Sequence, residues 1–195
     1  MTAPLCASLQ RLHQLTWQAG DWMDQGWWQA LSLKPWQHSY QQYPATRPAL
    51  NRLIAGRLGI ALAPLPGQLT TQQQQLMALE PRLQHLCTAL GLLAIACPDY
   101  LLLGRYRRQL SLQLGERACD QLLALGVFDS TQPAVLPAEQ LLAGATERGI
   151  AWLRAAAENC LVCRALQITL SPGPREAVPA LGSAVPWLLR IGRFL

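Results

Sequence analysis

The chain has 195 residues, of which 51% are hydrophobic and 14% are charged, and its formal net charge is +5. An ordinary soluble domain has roughly 25% charged residues, so we expect a partner to cover part of this surface. No apolar stretch reaches the roughly 20 residues of a membrane span, and the amino terminus lacks the pattern of a secretory signal peptide. These features predict a cytoplasmic protein.

The amino-terminal part of the chain is predicted to differ from the rest. Residues 1–45 form a tryptophan-rich N-terminal segment, and residues 46–195 form the main helical core. Leucines at helical spacing predict a first helix over residues 5–18. The stretch 21–43 is less regular because prolines interrupt it, so a short helix followed by a loop is expected there.

The middle of the chain shows longer helical patterns. Thr46 is a plausible N-cap for a helix that continues to Pro64. Thr70 or Thr71 caps the next helix, and Pro81 should kink or divide it.

The pattern after Pro98 is less regular. Leucines at steps of four predict a helix as far as Leu125. However, Gln109–Leu114 also alternates like a strand, and Gly115 is unfavourable inside a helix.

The carboxyl-terminal part begins with a predicted loop over 126–137, and Pro137 then starts a helix. Residues 164–170 alternate like a short strand. A proline-glycine loop over 171–179 and an apolar, basic tail over 185–195 complete the chain. The fold class predicted from these patterns is all-α: a single compact multi-helix domain over 1–195 with at most a minor strand.

Cys160 and Cys163 form a CxxC pair. A redox CxxC opens a helix after a strand, whereas this pair is predicted to close a helix, and no second ligand pair at zinc spacing accompanies it. Reduced structural thiols are favoured, and a small enzyme or metal protein built on this pair is an alternative. Phosphate-binding glycine loops and catalytic histidine motifs are also missing. We therefore expect a non-enzymatic protein without cofactor or metal.

Aromatic residues near the amino terminus are the first candidate partner-binding cluster. Tryptophan anchors protein interfaces because one rigid side chain buries a large area. Closing one end of the core is an equally weighted explanation of the same residues. The candidates are Trp22, Trp27, Trp28 and Trp36.

The second candidate cluster consists of Arg105, Arg107 and Arg108, which surround Tyr106. Aromatic residues among arginines are typical of nucleic-acid binders, but no helix-turn-helix, RRM or zinc-finger pattern is present. A charged patch that faces either solvent or a protein partner is favoured. A helical nucleic-acid-binding or regulatory protein is the alternative.

An order of features over residues 55–195 resembles one known family. These features are Leu90-Gly91-Leu92-Leu93, an arginine-bearing helix, Gln121-Leu122-Leu123-Ala124-Leu125, Pro137, Glu139, the segment from Gly149 to Ala156, and the segment from Arg164 to Leu170 before a proline-rich loop. This order resembles the YscK/PscK family of type III secretion, also called SctK.

The resemblance implies a function as well as a fold. It implies an all-helical cytosolic adaptor of the sorting platform beneath the injectisome. Such an adaptor joins the cytoplasmic domain of the inner-membrane ring protein (SctD) to the pod protein (SctQ). The resemblance implies no catalytic residues and no nucleic-acid partner, and it implies attachment to the inner membrane through partners only.

Overall fold

The computed structural model describes residues 6–60, 66–129, 131–157, 160–174 and 179–195. In these residues the regular elements are helices and no strand occurs, which confirms the all-α prediction. The α-helices are α1 (Ala7–Trp17), α2 (Ala19–Trp22), α3 (Gly26–Ala30), α4 (Gln37–Gln42), α5 (Arg47–Leu58), α6 (Thr71–Ala78), α7 (Leu83–Ile95), α8 (Asp99–Leu102), α9 (Gly104–Leu114), α10 (Glu116–Leu123), α11 (Ala138–Ala156), α12 (Leu161–Leu166) and α13 (Ala184–Ile191). Short 3-10 turns are Lys34–Trp36, Pro44–Thr46, Glu80–Arg82 and Gln167–Thr169.

The contacts within the chain divide it into two compact units. The first unit comprises Met1–Glu80 and Ala157–Pro172, and the second comprises Pro81–Ala156 and Gly173–Leu195. The single domain over 1–195 therefore stays a prediction.

The core of the first unit is built around α1. Its leucines Leu9, Leu12 and Leu15 recur every three residues, so they form one apolar stripe, and all three are buried. This stripe packs against α5, α6 and α12. The prediction of a helix over residues 5–18 is thus confirmed for its described part.

The second unit is centred on the close packing of α7 against α11. A Cβ atom added to Gly91 would lie 1.6 Å from the carbonyl oxygen of Ala145, and one added to Gly149 would lie 1.8 Å from that of Cys87. Only glycine permits so close an approach of two backbones. The hydroxyl groups of Thr88 in α7 and Thr146 in α11 also form a hydrogen bond across this contact.

Helix boundaries follow the predicted caps in part. Thr70 forms a capping box with Gln73 at the start of α6, as predicted. The 3-10 turn that contains Pro81 separates α6 from α7, so the predicted division is confirmed. Thr46 occupies the N-cap position of α5, as predicted, but its hydroxyl donates to the carbonyls of Ser39 and Tyr43 and makes no side-chain capping bond.

The region from 21 to 43 is more helical than predicted, because it contains α3, a 3-10 turn and α4. The helix predicted to reach Pro64 ends at Leu58, and Gly59 follows with a φ of 68°. Residues 61–65 lie outside the described part of the chain.

The single helix predicted up to Leu125 is divided into α8, α9 and α10. The second break falls at Gly115, whose φ of 88° is open to glycine at little cost. Tyr100 and Tyr106 pack edge to face, with ring centres 4.9 Å apart, and join α8 to α9. Because Gln109–Leu114 lies within α9, the alternative of a strand there is excluded.

One prediction for the carboxyl-terminal part was wrong, and the tail contains a helix that the sequence patterns did not predict. Residues 164–170 form the end of α12 and a 3-10 turn instead of a strand, and most of their side chains are buried, so no polar face alternates with an apolar one. The predicted tail contains α13, which Ser183 caps through its hydroxyl. The loop over 126–137 and the helix after Pro137 are confirmed in their described residues.

Candidate partner-binding surfaces

Trp28 is a core residue. Its side chain is 2% exposed and packs edge-on against Tyr40, with ring centres 5.3 Å apart. Such a side chain offers no surface to a partner. The assignment of Trp28 to a partner-binding site is therefore corrected, and its role is to close the core of the first unit.

Tyr40 links three helices behind Trp28. Its hydroxyl donates to Asn51 Oδ1 over 3.1 Å, and the backbone N–H of Gly20 donates to the same oxygen over 2.9 Å. Burial raises the pKa of Tyr40 to about 12. The tyrosine thus fixes α4 against α2 and α5 as a neutral hydrogen-bond donor.

Trp27 is half-buried and fastens α3 to the end of the first unit. Its indole N–H donates to the carbonyl of Leu170 over 2.9 Å, and the backbone N–H of Asp24 donates to the carbonyl of Ile168 over 2.9 Å. These bonds connect residues that are about 143 positions apart in the chain. Trp27 therefore has a structural role, and only part of its ring faces the surface.

Trp22 and Trp36 are the exposed members of the predicted aromatic cluster, at 42% and 55%. The guanidinium of Arg11 lies 3.8 Å from the centre of a ring of Trp22. Arg11 is fixed in turn by Glu80, whose carboxylate accepts from its Nη2 over 2.6 Å. This cation–π contact holds one face of Trp22 in place while the other part of the ring meets solvent.

Two exposed aromatic residues of the first unit were missed in the sequence analysis. Trp17 ends α1, and Tyr43 follows α4; both side chains are exposed. Both residues lie at the carboxyl end of a helix and outside its buried positions, so the apolar period alone does not indicate them.

Arg107 has an intramolecular role. Its Nη2 donates to Asp120 over 2.6 Å, its Nε donates to Glu116 over 2.8 Å, and its Nη1 donates to the carbonyl of Leu101 over 3.3 Å. The hydrogen bonds that Arg107 donates to Asp120 and Glu116 raise the pKa of Arg107, and the same contact lowers the pKa of Glu116. Because this guanidinium fastens α9 to α10, Arg107 has a structural role, and its contact with a partner stays a prediction.

Arg105 and Arg108 are exposed, as a partner-binding role requires. Leu112 lies on the same face of α9 and is 90% exposed. The exposure of Leu112 was not predicted, because the residues around it alternate like a strand. The arginines thus stand beside an apolar side chain.

The CxxC pair opens a helix, which corrects the prediction that it closes one. Cys160 is the N-cap of α12, and its Sγ accepts from the backbone N–H of Cys163 over 3.4 Å. The hydrogen bond from the Cys163 thiol lowers the pKa of Cys160 to about 6, while the pKa of Cys163 is raised. Cys160 is half-buried and Cys163 is buried.

Other kinds of site were sought in the described residues. No group of three or more histidine, cysteine or acidic side chains there could hold a metal ion. A cavity of about 390 Å³ in the second unit is lined by apolar residues such as Ile95 and Leu136 and by Glu147 and Arg148. Within the described part of the chain, no helix combines the length and the apolarity that crossing a bilayer demands.

The fold and these surfaces define an all-helical protein whose exposed aromatic, cationic and apolar side chains are the main candidate contacts. Comparison with known families identifies it further: the chain belongs to a family of type III secretion system subunits, which matches residues 10–172. No curated protein and no solved structure matches the chain.

Proposed function

We propose that the chain is a non-enzymatic cytoplasmic adaptor of the type III secretion sorting platform. In this role it links the cytoplasmic domain of the inner-membrane ring protein (SctD) to the pod protein (SctQ). It works at the cytoplasmic face of the inner membrane, and its partners hold it there.

The observation that carries this proposal is the match to type III secretion system subunits over residues 10–172. An adaptor needs at least two binding surfaces, and each compact unit has its own set of exposed side chains. The first unit exposes Trp22 and Trp36, and the second exposes Arg105, Arg108 and Leu112. Aromatic residues and arginine are enriched among side chains that dominate interface energies.

Co-purification from the source bacterium tests the proposal. The tagged full chain is recovered at low and at moderate salt, and mass spectrometry identifies the proteins that accompany it. We expect the ring and pod proteins of the secretion system in both conditions. Recovery of other secretion components without these two would contradict the adaptor role.

The rival function, nucleic-acid binding through the arginine cluster, is tested in the same preparation. Retention on DNA or RNA that falls steeply with salt would support it. The clamp formed by Arg107, Glu116 and Asp120 speaks against this function, because it removes one of three cations and places carboxylates beside it.

A further inference from the structure

The outer face of α9 combines cationic and apolar side chains. Arg105, Arg108 and Leu112 follow one another at helical spacing, so they lie on one face of the helix. All three are exposed, and Leu112 is the most exposed large apolar side chain in the described residues. Leu102 and Leu103 come just before the helix and are also exposed. The packing of the second unit uses little of these five side chains.

The two arginines are oriented by neighbouring groups but are not neutralised. The guanidinium of Arg105 lies 4.6 Å from the centre of the Tyr106 ring, and Arg108 Nε donates to the carbonyl of Gly104 over 3.2 Å. Neither arginine pairs with a carboxylate of the described residues. Since α9 contains no acidic residue, this face carries uncompensated positive charge.

We infer that this surface docks an acidic amphipathic helix of a partner protein. The surface, named the α9 docking face, consists of Arg105, Arg108 and Leu112 on α9, with the exposed Leu102 and Leu103 directly before its first turn. A partner helix with carboxylates beside apolar side chains complements the arginines by charge and the leucines by burial. The inference rests on the proposed function only for the identity of the protein that carries such a helix.

Other binders fit the α9 docking face less well. A nucleic acid would contact Arg105 and Arg108 through phosphates, but the fully projecting Leu112 would gain nothing from a phosphate backbone. A lipid surface would need a broad apolar face, whereas the solvent side of α9 also carries Gln109 and Gln113. A mixed acidic and apolar partner satisfies both kinds of side chain.

Direct binding of a synthetic probe tests the inference. The probe is a labelled helical peptide of about 15 residues with leucine on one face and glutamate on the other. Two control peptides replace glutamate by lysine or leucine by alanine. We expect fluorescence anisotropy with the purified full chain to show binding of the probe and about tenfold weaker binding of either control.

Substitutions locate the binding site. We expect the single variant Leu112→Ala to weaken binding of the probe by about tenfold, and we expect the same of the double variant Arg105→Glu, Arg108→Glu. The circular dichroism of both variants should be unchanged because these side chains are exposed. The matched controls are Val135→Ala and Arg193→Glu, which alter exposed residues of the second unit outside α9. We expect neither control to change probe affinity.

The possible failures are distinguishable. Probe binding that α9 substitutions leave unchanged, or binding of phosphatidylglycerol vesicles in place of the probe, would overturn the inference and leave the adaptor proposal standing. Binding that is lost on α9 substitution supports the inference. If the unsubstituted chain then recovers neither ring nor pod protein on co-purification, the adaptor proposal alone fails.

Discussion

At the scale of single residues, Cys160 shows how one local contact changes the chemistry of a side chain. A thiol in water has a pKa of about 8.5, whereas the hydrogen bond from Cys163 lowers that of Cys160 to about 6. The thiolate is the reactive form of cysteine. We therefore expect Cys160 to be ionised at neutral pH, while the hydrogen bond with Cys160 and then burial raise the pKa of Cys163 and keep that thiol neutral.

The reactivity of Cys160 is the first prediction at this scale. Its alkylation by iodoacetamide should rise as the pH passes about 6 and level off near neutrality, because the rate follows the thiolate fraction. The measurement is peptide mass spectrometry over about pH 5 to 9, with a free cysteine peptide as the reference for a pKa of about 8.5. The matched variant Cys163→Ala removes the donor thiol and should move the profile toward the reference. A Cys160 profile that coincides with the reference would contradict the assignment.

The roles of individual residues in the candidate sites could be predicted only in part. Residue type identified tryptophan and arginine as candidates, since these side chains serve interfaces. Residue type could not distinguish the buried Trp28 from the exposed Trp36. The two tryptophans are eight residues apart in a segment whose apolar residues have no regular period. Nor could residue type show that Arg107 faces two carboxylates of the next helix, which depends on the turn at Gly115.

At the scale of helices, the contact between α7 and α11 depends on small residues. The hydroxyl groups of Thr88 and Thr146 lie 2.7 Å apart across this contact. Gly91 and Gly149 each face a backbone carbonyl of the other helix. A side chain can rotate away from an added methyl group, but a carbonyl in a helix cannot. The helices would have to separate to admit even one methyl group.

Gly149→Ala should therefore lower the free energy of unfolding by about 3 kcal/mol, as overpacked cores do. Urea unfolding followed by circular dichroism measures this change. The control is Gly104→Ala, whose added Cβ meets nothing within 4 Å, and its effect should stay within about 0.5 kcal/mol. Equal effects of the two substitutions would show that the close contact does not limit stability.

Helices with a strong apolar period were predicted better than the turns between them. The apolar stripe of α1 and the capping box of α6 depend only on residues close together in the chain, so both can be predicted from the local sequence. The breaks within 99–125 and the helix after Cys160 depend on contacts beyond the local pattern, such as the edge-to-face packing of Tyr100 and Tyr106. Alternating apolar residues in 164–170 imitated a strand because both sides of that short segment are buried.

At the scale of the whole molecule, the family relationship covers more of the chain than the resemblance in the sequence. The resemblance rests on residues 55–195, whereas the family of type III secretion system subunits matches residues 10–172. The tryptophan-rich segment thus belongs mostly to the shared region. Composition gave a general expectation of covered surface, but it could not assign partners to particular surfaces.

An adaptor with two partners allows loss of one surface to be separated from loss of the fold. Trp36 is exposed, so Trp36→Ala should change the free energy of unfolding by no more than about 0.5 kcal/mol. Trp28 is buried, so Trp28→Ala should cost about 3 to 5 kcal/mol. Thermal unfolding monitored by circular dichroism distinguishes the two variants before any binding experiment.

Co-purification with these variants then tests whether the exposed tryptophan is a contact. If Trp36 contacts one partner, Trp36→Ala should reduce recovery of either the ring protein or the pod protein and leave the other unchanged. Trp28→Ala should reduce both together, because a destabilised fold loses both surfaces. Full recovery of both partners with Trp36→Ala would exclude this side chain from either interface, and the contacts in the first unit would then have to come from other exposed residues such as Trp22.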